Sequence, residues 1–276
     1  TGGSSGIGKA TGELLQSNGY AVIGTSRSPA HYTDHPFPLI QMDLHDATSI
    51  QKAVEIVVSK YGAIDVLVNN AGKGIAGPIE ETPLDEIRSV FETNLVGATA
   101  VIQSVIPTMR TKNKGKIINI TSIACYSGLP FRAAYSATKS ALHMLTESLR
   151  LELKPTNIQC CTLAPGDVAT NISQGRYHVP VKKNSPYHAI YGAARKDMDA
   201  HVDAGVSAKT VAISINRLIQ KNKLKPHYTV GPFLQRFSIY LKSYLPAKIY
   251  EFILSKFYIF IFLVIQCSCN RKFKTY

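Results

Sequence analysis

Three residues have the types and the spacing of an acid–base site for a hydroxyl or carbonyl group. Tyr135 and Lys139 are four residues apart, so on a helix they are neighbours on one face. A cation beside a phenol favours the phenolate, which lets Tyr135 pass a proton to or from a substrate oxygen. Ser122, thirteen residues before Tyr135, can donate a hydrogen bond to the same oxygen. We expect these three side chains to share one catalytic site.

A glycine-rich run at the start of the sequence has the features of a phosphate-binding loop. Residues Thr1–Gly8 read TGGSSGIG, with Gly2, Gly6 and Gly8 in a T-G-x-x-x-G-x-G pattern, and a helical apolar pattern follows. Glycines let backbone N–H groups approach a pyrophosphate closely, and the start of a helix is the positive end of its dipole. The run therefore predicts a dinucleotide site, although a glycine triplet alone is a weak signal.

Short apolar runs alternate with amphipathic segments over residues 1–231, and these elements must position the catalytic side chains. Continuous apolar strands between amphipathic helices are typical of a parallel sheet covered on both faces. We therefore expect a single α/β domain with a doubly wound parallel sheet. The predicted strands are Tyr20–Thr25, Leu39–Met42, Ile64–Val68, Lys116–Ile120, Ile158–Leu163 and His227–Val230. The predicted helices follow the glycine loop, Asp46 and Thr82-Pro83, and cover about Ala134–Leu153 and Ala208–Gln220.

The strand that should lead into the glycine loop is missing from this sequence. The chain begins at Thr1, with no methionine and no apolar run before the loop. A phosphate-binding loop of this kind normally joins a strand to a helix. We therefore expect a chain that is truncated at its N-terminus and lacks its first strand.

Four further motifs follow in a fixed order along the chain. They are Asn69-Asn70-Ala71-Gly72 after a strand, Asn94 in a helix, YSATK from Tyr135 to Lys139, and PGDVAT from Pro165 to Thr170. In content, order and spacing, residues 1–231 resemble the short-chain dehydrogenase/reductase family. The resemblance implies a Rossmann fold, a homodimer or homotetramer, and hydride transfer between a nicotinamide cofactor and a carbonyl/secondary alcohol pair (EC 1.1.1.-).

The resemblance also implies a role for each site residue. Tyr135 is the acid–base group, Ser122 binds the reacting oxygen, Lys139 holds the nicotinamide ribose, and Asn94 supports a water relay behind it. Asp43 contacts the adenine ring. The full set of residues that the resemblance assigns to cofactor binding is Gly2, Ser4, Ser5, Gly6, Ile7, Gly8, Ser26, Arg27, Asp43, Leu44, Asn69, Ala71, Gly72, Tyr135, Lys139, Pro165, Gly166, Val168 and Thr170.

The choice between NADP and NAD depends on the end of the strand Tyr20–Thr25. An NAD enzyme has an acidic residue there for the ribose hydroxyls, whereas this chain has Ser26 and Arg27 and no carboxylate until Asp34. Arg27 can pair with a 2′-phosphate, which favours NADP. One departure weakens the prediction, since many NADP-preferring relatives carry a basic residue in the glycine loop, where this chain has Ser5.

The substrate side of the predicted site lies in the longest segment without a clear period, residues 171–205. A segment of this length in a compact domain is often a functional lid. The pattern is similar to the family branch that includes hydroxysteroid, retinol and acyl-dihydroxyacetone-phosphate reductases, which implies a lipophilic ketone or secondary alcohol. The segment's aromatic and apolar candidates for substrate contact are Tyr177, His178, Tyr187, Ile190, Tyr191 and Met198.

Most of the net charge of +13 lies in the last quarter of the chain. Residues 205–276 hold 12 Lys and Arg against one acidic residue, Glu251, so the body is close to neutral and a nucleic-acid-binding core is not expected. The tail, residues 232–276, alternates apolar residues with lysines. Phe257–Ile265 has nine apolar residues, fewer than the ~20 of a membrane-spanning helix. The tail therefore predicts either a helix on a membrane surface or a helix packed on the body or in a dimer interface.

Other patterns predict a cytoplasmic enzyme that binds no metal. Any contact with a membrane is expected to be peripheral. Five cysteines, an odd number, do not suggest a disulfide framework. The histidines show no ligand spacing, and His143, four residues after Lys139, is expected to be a packed or interfacial helix residue. One alternative class is a catalytically silent protein that binds NADP(H) as a sensor or scaffold. The presence of Asn94, Ser122, Tyr135 and Lys139 together argues against it.

Overall fold

The computed structural model describes residues 1–169, 175–203 and 205–256. Its strands are β1 (Gly24–Ser26), β2 (Leu39–Gln41), β3 (Val66–Asn69), β4 (Ile75–Ala76), β5 (Gly115–Ile120), β6 (Ile158–Pro165), β7 (Val168–Ala169), β8 (Tyr177–His178), β9 (Val206–Ser207) and β10 (His227–Val230). Its helices are α1 (Gly6–Ser17), α2 (Ala47–Tyr61), α3 (Leu84–Phe91), α4 (Gly97–Thr111), α5 (Ala133–Glu152), α6 (His188–Asp203), α7 (Ala208–Gln220) and α8 (Phe233–Tyr244). Residues 247–256 are also helical.

The predicted doubly wound α/β fold is confirmed. Strands β10, β6, β5 and β3 form a parallel sheet in that order, and β1 pairs in parallel with β2. One apolar core joins the sheet to α2, α4 and α5, and includes Val101, Ile117 and Leu149. A second core on the other face joins it to α1 and α7, and includes Leu163 and Ile215. Both faces of the sheet are therefore covered, as continuous apolar strands require.

An apolar slot separates β1 from β3. It has a volume of about 380 Å³, and Val22, Ile23, Val66 and Val68 are among its lining residues. The predicted strand Tyr20–Thr25 is wrong in its first half, since β1 begins only at Gly24. Among the described strands β1 pairs only with β2, and residues 20–23 face the slot with no neighbour to provide ladder hydrogen bonds.

Local sequence signals explain where the main helices begin and end. The Asp46 carboxylate accepts a hydrogen bond of 2.8 Å from the Thr48 amide and caps α2. Gly62, with a φ of +79°, ends the same helix in the left-handed region that glycine favours. α3 begins at Leu84, directly after the predicted start Thr82-Pro83, and the Thr82 hydroxyl donates to the Pro78 carbonyl instead of capping the helix.

The segment 171–205 contains a helix that its sequence pattern does not predict. α6 covers 16 residues of it, and its apolar side chains are too few and irregular to give a clear helical period. Tyr191 of α6 is 1% exposed, and its hydroxyl donates to the Ala76 carbonyl at 2.9 Å. Part of the predicted lid is therefore packed onto the body.

The described part of the tail also packs on the body along one side. The Tyr250 side chain is 7% exposed and its hydroxyl is 2.7 Å from that of Ser127. The opposite side of α8 leaves Phe233, Tyr240 and Tyr244 largely exposed. The predicted apolar run Phe257–Ile265 lies outside the described residues, as does the rest of the tail beyond residue 256.

One described helical stretch, Leu84–Thr111, is long and apolar enough to cross a membrane by length and composition. It comprises α3, a π-helical turn and α4. Its residues Val90, Val101, Val105 and Met109 are almost fully buried within the domain. Packing in the domain therefore accounts for its apolar character.

Candidate functional site

Ser122 lies directly beyond the carboxyl end of β5, in the loop that leads to α5. Its side-chain oxygen accepts a hydrogen bond of 3.2 Å from the Ala124 amide and caps a short 3₁₀ turn, Ile123–Cys125. This bond uses an acceptor position and leaves the hydroxyl hydrogen available. Ser122 is thus held in place as a hydrogen-bond donor for a ligand.

Tyr135 and Lys139 lie one turn apart in the first half of α5. The Lys139 side chain is buried and its Nζ donates a hydrogen bond of 3.0 Å to the Ile120 carbonyl at the end of β5. The same Nζ is 6.0 Å from the centre of the Tyr135 ring. Burial lowers the pKa of Lys139, while Tyr135 and Cys125 act in the opposite direction. The arrangement places a fixed amine beside the phenol.

Asn94 lies in a π-helical turn, Glu92–Val96, between α3 and α4. Its Oδ1 accepts a hydrogen bond of 2.8 Å from the Lys73 amide, and its Nδ2 donates to the Lys73 carbonyl and to the Thr138 hydroxyl. A Cβ added at Gly72 would lie 3.2 Å from Asn94 Oδ1 and 3.4 Å from Lys139 Nζ. Asn94 and Lys139 therefore meet around Gly72, and π-helical turns are common at functional sites.

A cavity of about 610 Å³ runs along the carboxyl ends of β1, β2 and β3. Eleven of the residues predicted to bind the cofactor line it: Gly2, Ser4, Ser5, Gly6, Ile7, Ser26, Arg27, Asp43, Leu44, Ala71 and Gly72. In an open α/β sheet, nucleotides bind in a crevice of this kind. The cavity is therefore the candidate nucleotide site.

The glycine loop has the backbone conformation of a phosphate cradle. Gly2 and Gly6 have φ values of +63° and +51°, in the left-handed region. A Cβ at Gly8 would lie 2.1 Å from the Gly2 carbonyl oxygen, so only glycine allows this approach. The loop leads into α1, which has no acidic residue in its first turn. These features fit the pyrophosphate of a dinucleotide.

Asn70 is a site residue that the predicted cofactor set omits. Its Nδ2 donates to the backbone oxygens of Thr1 and Gly2, at 3.1 and 3.3 Å, and ties the loop to the end of β3. Asn69 contacts the loop as well, since the Thr1 hydroxyl donates to its Oδ1 at 3.4 Å, while its Nδ2 donates to the Ala98 carbonyl at 2.8 Å. Both asparagines of the Asn69-Asn70-Ala71-Gly72 motif therefore hold the start of the loop.

The adenosine end of the cavity is basic. Arg27 is exposed on its wall, and none of the ion pairs among the described residues includes it. His31 and His45 also line the cavity. Asp43, another lining residue, accepts a hydrogen bond of 3.0 Å from the His45 amide through Oδ1. Asp43 therefore also stabilises its own turn.

A second, mainly apolar cavity of about 210 Å³ begins at Ser122. Gly166 also lines it, between the Ile123 side chain and α8, where a Cβ would lie 2.2 Å from Gln235 Oε1. Met198 is the one residue of the predicted substrate set that contributes to this cavity. The larger apolar side chains of its lining are Ile123, Leu129, Met198, Leu234, Leu241, Ile253 and Leu254.

Several predicted cofactor residues do not line the first cavity. Pro165 ends β6 opposite Val230, and Val168 is buried and paired with β9. Thr170 lies outside the described residues. Of the remaining residues, Gly8 lies in the glycine loop, Asn69 ends β3, Tyr135 and Lys139 lie in α5, and Gly166 lines the apolar cavity.

Comparison with known proteins supports this description. A family model described as short chain dehydrogenase matches residues 1–179. The chain is 33% identical over 259 residues to 3-ketodihydrosphingosine reductase of Bacteroides thetaiotaomicron, covering 94% of this chain and 96% of the relative. It is 28% identical to dehydrogenase/reductase SDR family member 7B of Mus musculus, covering 93% and 79%.

Solved structures agree with these matches. A short-chain dehydrogenase from Streptomyces avermitilis superposes with a TM-score of 0.77 at 30% identity, covering 88% of this chain and 90% of the other. A structure titled ElxO with NADP bound gives a TM-score of 0.66 at 26% identity, covering 83% and 94%. With the fold, the cradle and the family match in agreement, this chain is a member of the short-chain dehydrogenase family, an oxidoreductase that uses a nicotinamide cofactor.

Proposed function

We propose that this protein transfers a hydride between NADP(H) and a lipophilic carbonyl/secondary alcohol pair. The observation that carries the proposal is the position of the Ser122–Tyr135–Lys139 group. Ser122 is in the wall of the apolar cavity, and Lys139 approaches the nucleotide cavity at Gly72. A carbonyl carbon placed between the two cavities would face both the proton donors and the nicotinamide.

The residues of this group divide the chemistry between them. The cofactor, when bound, supplies or accepts the hydride. Tyr135 gives its phenol proton to the carbonyl oxygen during reduction and takes it back during oxidation. The Ser122 hydroxyl donates a hydrogen bond to the same oxygen as negative charge develops there. Lys139, held by the Ile120 carbonyl, stabilises the phenolate, and Asn94 holds the Gly72–Lys73 backbone beside it.

The lining of the second cavity supports a lipophilic substrate. Its wall is dominated by aliphatic side chains from the Ser122 loop, α8 and the 247–256 helix. One relative is named as a reductase of 3-ketodihydrosphingosine, which is consistent with a ketone on an alkyl chain. Arg132 adds one polar position. Its Nε is buried without a hydrogen-bond partner among the described residues, and the guanidinium lies 5.3 Å from the Tyr135 ring centre. We infer a hydrogen-bond acceptor on the substrate near its carbonyl.

NADP is the proposed cofactor because of the basic wall around Arg27. A 2′-phosphate there would gain a charge-assisted contact from Arg27. The set of similar structures includes proteins bound to NADP and one bound to NAD, so the cofactor preference has to be argued from this chain's own residues. The predicted alternative, a silent NADP(H)-binding sensor or scaffold, would share this cavity and differ in having no turnover.

The tail is proposed to contact a membrane peripherally from the cytoplasmic side. Phe233, Tyr240, Tyr244 and Phe252 are 62–83% exposed, and Lys248 and Lys256 lie among them. Exposed aromatic residues mixed with lysines fit the surface of an anionic bilayer. A lipophilic substrate would then enter the apolar cavity past α8. We further propose a homodimer or homotetramer, as is common in the family.

A series of ketones of increasing chain length tests the proposed function. With NADPH held constant, kcat/KM should rise about fourfold for each added CH₂, since burying one CH₂ is worth about 0.8 kcal/mol. The rise should stop once the cavity is full. 3-Ketodihydrosphingosine and a short, water-soluble ketone define the two ends of the series. Tight NADPH binding with no oxidation of NADPH by any ketone would instead favour the sensor or scaffold.

A further inference from the structure

A cluster of two histidines and a glutamate lies outside the catalytic site, where α5 meets the edge strand β10. Oε1 of Glu147 is 2.9 Å from Nε2 of His227 and 3.3 Å from Nε2 of His143. The two imidazole rings stack, with centres 4.1 Å apart and 23° between their planes. All three ligand atoms lie within 4.8 Å of one another. We propose that His143, Glu147 and His227 form a zinc site, with water as the fourth ligand.

The distances in the cluster are close to those around tetrahedral zinc. Bonds of about 2.0–2.1 Å put neighbouring ligand atoms about 3.3 Å apart, comparable to the two distances from Glu147. Two imidazole nitrogens and one carboxylate also form a common ligand set for zinc with an open position. The side chains of Glu147 and His227 are 40% and 31% exposed. They can therefore rotate towards an ion, and water can reach the fourth position.

Thr162 of β6 contacts both rings on their Nδ1 side. Its hydroxyl oxygen is 3.0 Å from Nδ1 of His227 and 3.5 Å from Nδ1 of His143. The Cys125 Sγ atom also lies 3.7 Å from Nδ1 of His143. With their Nδ1 atoms engaged there, both rings direct Nε2 at the Glu147 carboxylate.

These contacts suit a divalent cation bound between the two Nε2 atoms and the carboxylate. Both Nε2 lone pairs and the carboxylate then face the metal, and both Nδ1–H groups can donate to the Thr162 hydroxyl oxygen. A hydrogen bond from the second ring nitrogen is what usually orients a metal-binding histidine.

The proposed site differs from the prediction, made from the sequence, that the chain has no metal. His143 and Glu147 are four residues apart on α5, but His227 is far away in sequence, so spacing alone does not reveal the cluster. A bound ion would link α5, which carries Tyr135 and Lys139, to β10. We therefore expect zinc to stabilise the fold rather than to take part in hydride transfer.

Zinc titration of the metal-free full chain tests the site. We expect one zinc ion bound per chain, and a rise in melting temperature of about 5 °C at a hundredfold excess over the dissociation constant. Co²⁺ should bind with the visible absorption spectrum of a tetrahedral site. His227→Ala and Glu147→Gln should each abolish the tight zinc binding and the shift in melting temperature. Glu147→Gln is the milder change, and it serves if His227→Ala alone lowers the stability of the fold.

His188→Ala provides the matched control, because His188 is exposed on α6 outside the cluster. This variant should keep the full zinc shift. The proposal is wrong if the wild-type chain binds no zinc, which would mean that the cluster holds only a proton. It is also wrong if zinc binds equally well to the His227→Ala and Glu147→Gln variants, since the ion would then occupy another place.

Discussion

At the scale of single residues, Arg27 carries the proposed preference for NADP. Replacing Ser26 with Asp and Arg27 with Leu provides a carboxylate for the ribose hydroxyls and removes the cation for the 2′-phosphate. We expect the ratio of kcat/KM for NADPH over NADH to fall tenfold or more, since a hydrogen bond to a charged group contributes about 1.5–3 kcal/mol. Steady-state kinetics with both cofactors measure this ratio.

Arg110→Leu is the matched control, since it removes an exposed arginine from the end of α4, away from the nucleotide cavity. Its ratio should equal that of the wild-type chain. A wild-type chain that already prefers NADH would contradict the role of Arg27 before any substitution is made.

Residue types and spacing are enough to name the candidate catalytic group, but they do not show the residues around it. Tyr135, Lys139 and Ser122 can be named because the helix period and the strand end fix their neighbourhood. Asn70 and the partners of His143 depend on which way a side chain points and on which distant strand lies alongside. Side-chain direction and contacts between distant strands are set only when the chain folds, so the local sequence pattern does not predict them.

At the scale of secondary-structure elements, the slot between β1 and β3 has the size and lining for one additional strand. The Thr1 amino group, at one end of the slot, donates a hydrogen bond of 2.7 Å to the Val68 carbonyl. Burial lowers the pKa of this amino group to about 5 from 8.0. The folded state therefore disfavours the charged amine, whereas the unfolded chain carries it up to about pH 8.

This difference predicts how the stability of the chain beginning at Thr1 changes with pH. Between pH 5 and 8 the unfolded state binds more protons, so the free energy of unfolding rises with pH across that window. Burying the charged amine therefore lowers the free energy of unfolding by about 4 kcal/mol below pH 5, and this loss is absent above pH 8. Denaturant unfolding at a series of pH values measures this slope.

The comparison is a chain with five to seven apolar, mostly β-branched residues added before Thr1, whose stability is measured against that of the chain beginning at Thr1. The amine becomes a peptide N–H that keeps its bond to Val68, and the added residues can pair with β1 and β3. We expect the extended chain to lose this part of the pH dependence and to melt at a higher temperature. Equal stability and an equal pH slope in both chains would show that the slot does not accept a strand.

The elements themselves differ in how well the sequence predicts them. β10 and α7 have the predicted bounds because an apolar period and a Ser207 cap define them locally. Residues 20–23 are predicted as strand from their apolar character, yet they lack a neighbouring strand in the slot. α6 shows the opposite case, in which a helix forms through packing without a clear apolar period.

At the scale of the whole molecule, the charge and the exposed aromatics of the tail predict binding to anionic bilayers. Lys248→Glu with Lys256→Glu reverses the charge beside Phe252 without altering the buried Tyr250. Electrostatic binding to lipid contributes about 1 kcal/mol per lysine, so reversing two should weaken it at least tenfold. Co-sedimentation with phosphatidylserine-containing vesicles, at low and high salt, measures the effect.

Lys52→Glu with Lys60→Glu is the matched control, because it makes the same change in net charge on α2. This variant should bind vesicles as the wild-type chain does. If the wild-type chain binds neither neutral nor anionic vesicles, the result would favour the alternative, a tail helix packed on the body or in a dimer interface.

Turnover by Tyr135→Phe, measured against its binding of NADPH, tests the proposed function most directly. The substitution removes one hydroxyl and leaves the nucleotide cavity unchanged, so the dissociation constant for NADPH should stay within about threefold. The rate of NADPH oxidation with the best ketone should fall about 100- to 10,000-fold, as expected for the loss of a positioned acid. A variant that keeps more than about a tenth of the wild-type rate would contradict the assignment of Tyr135 as the proton donor.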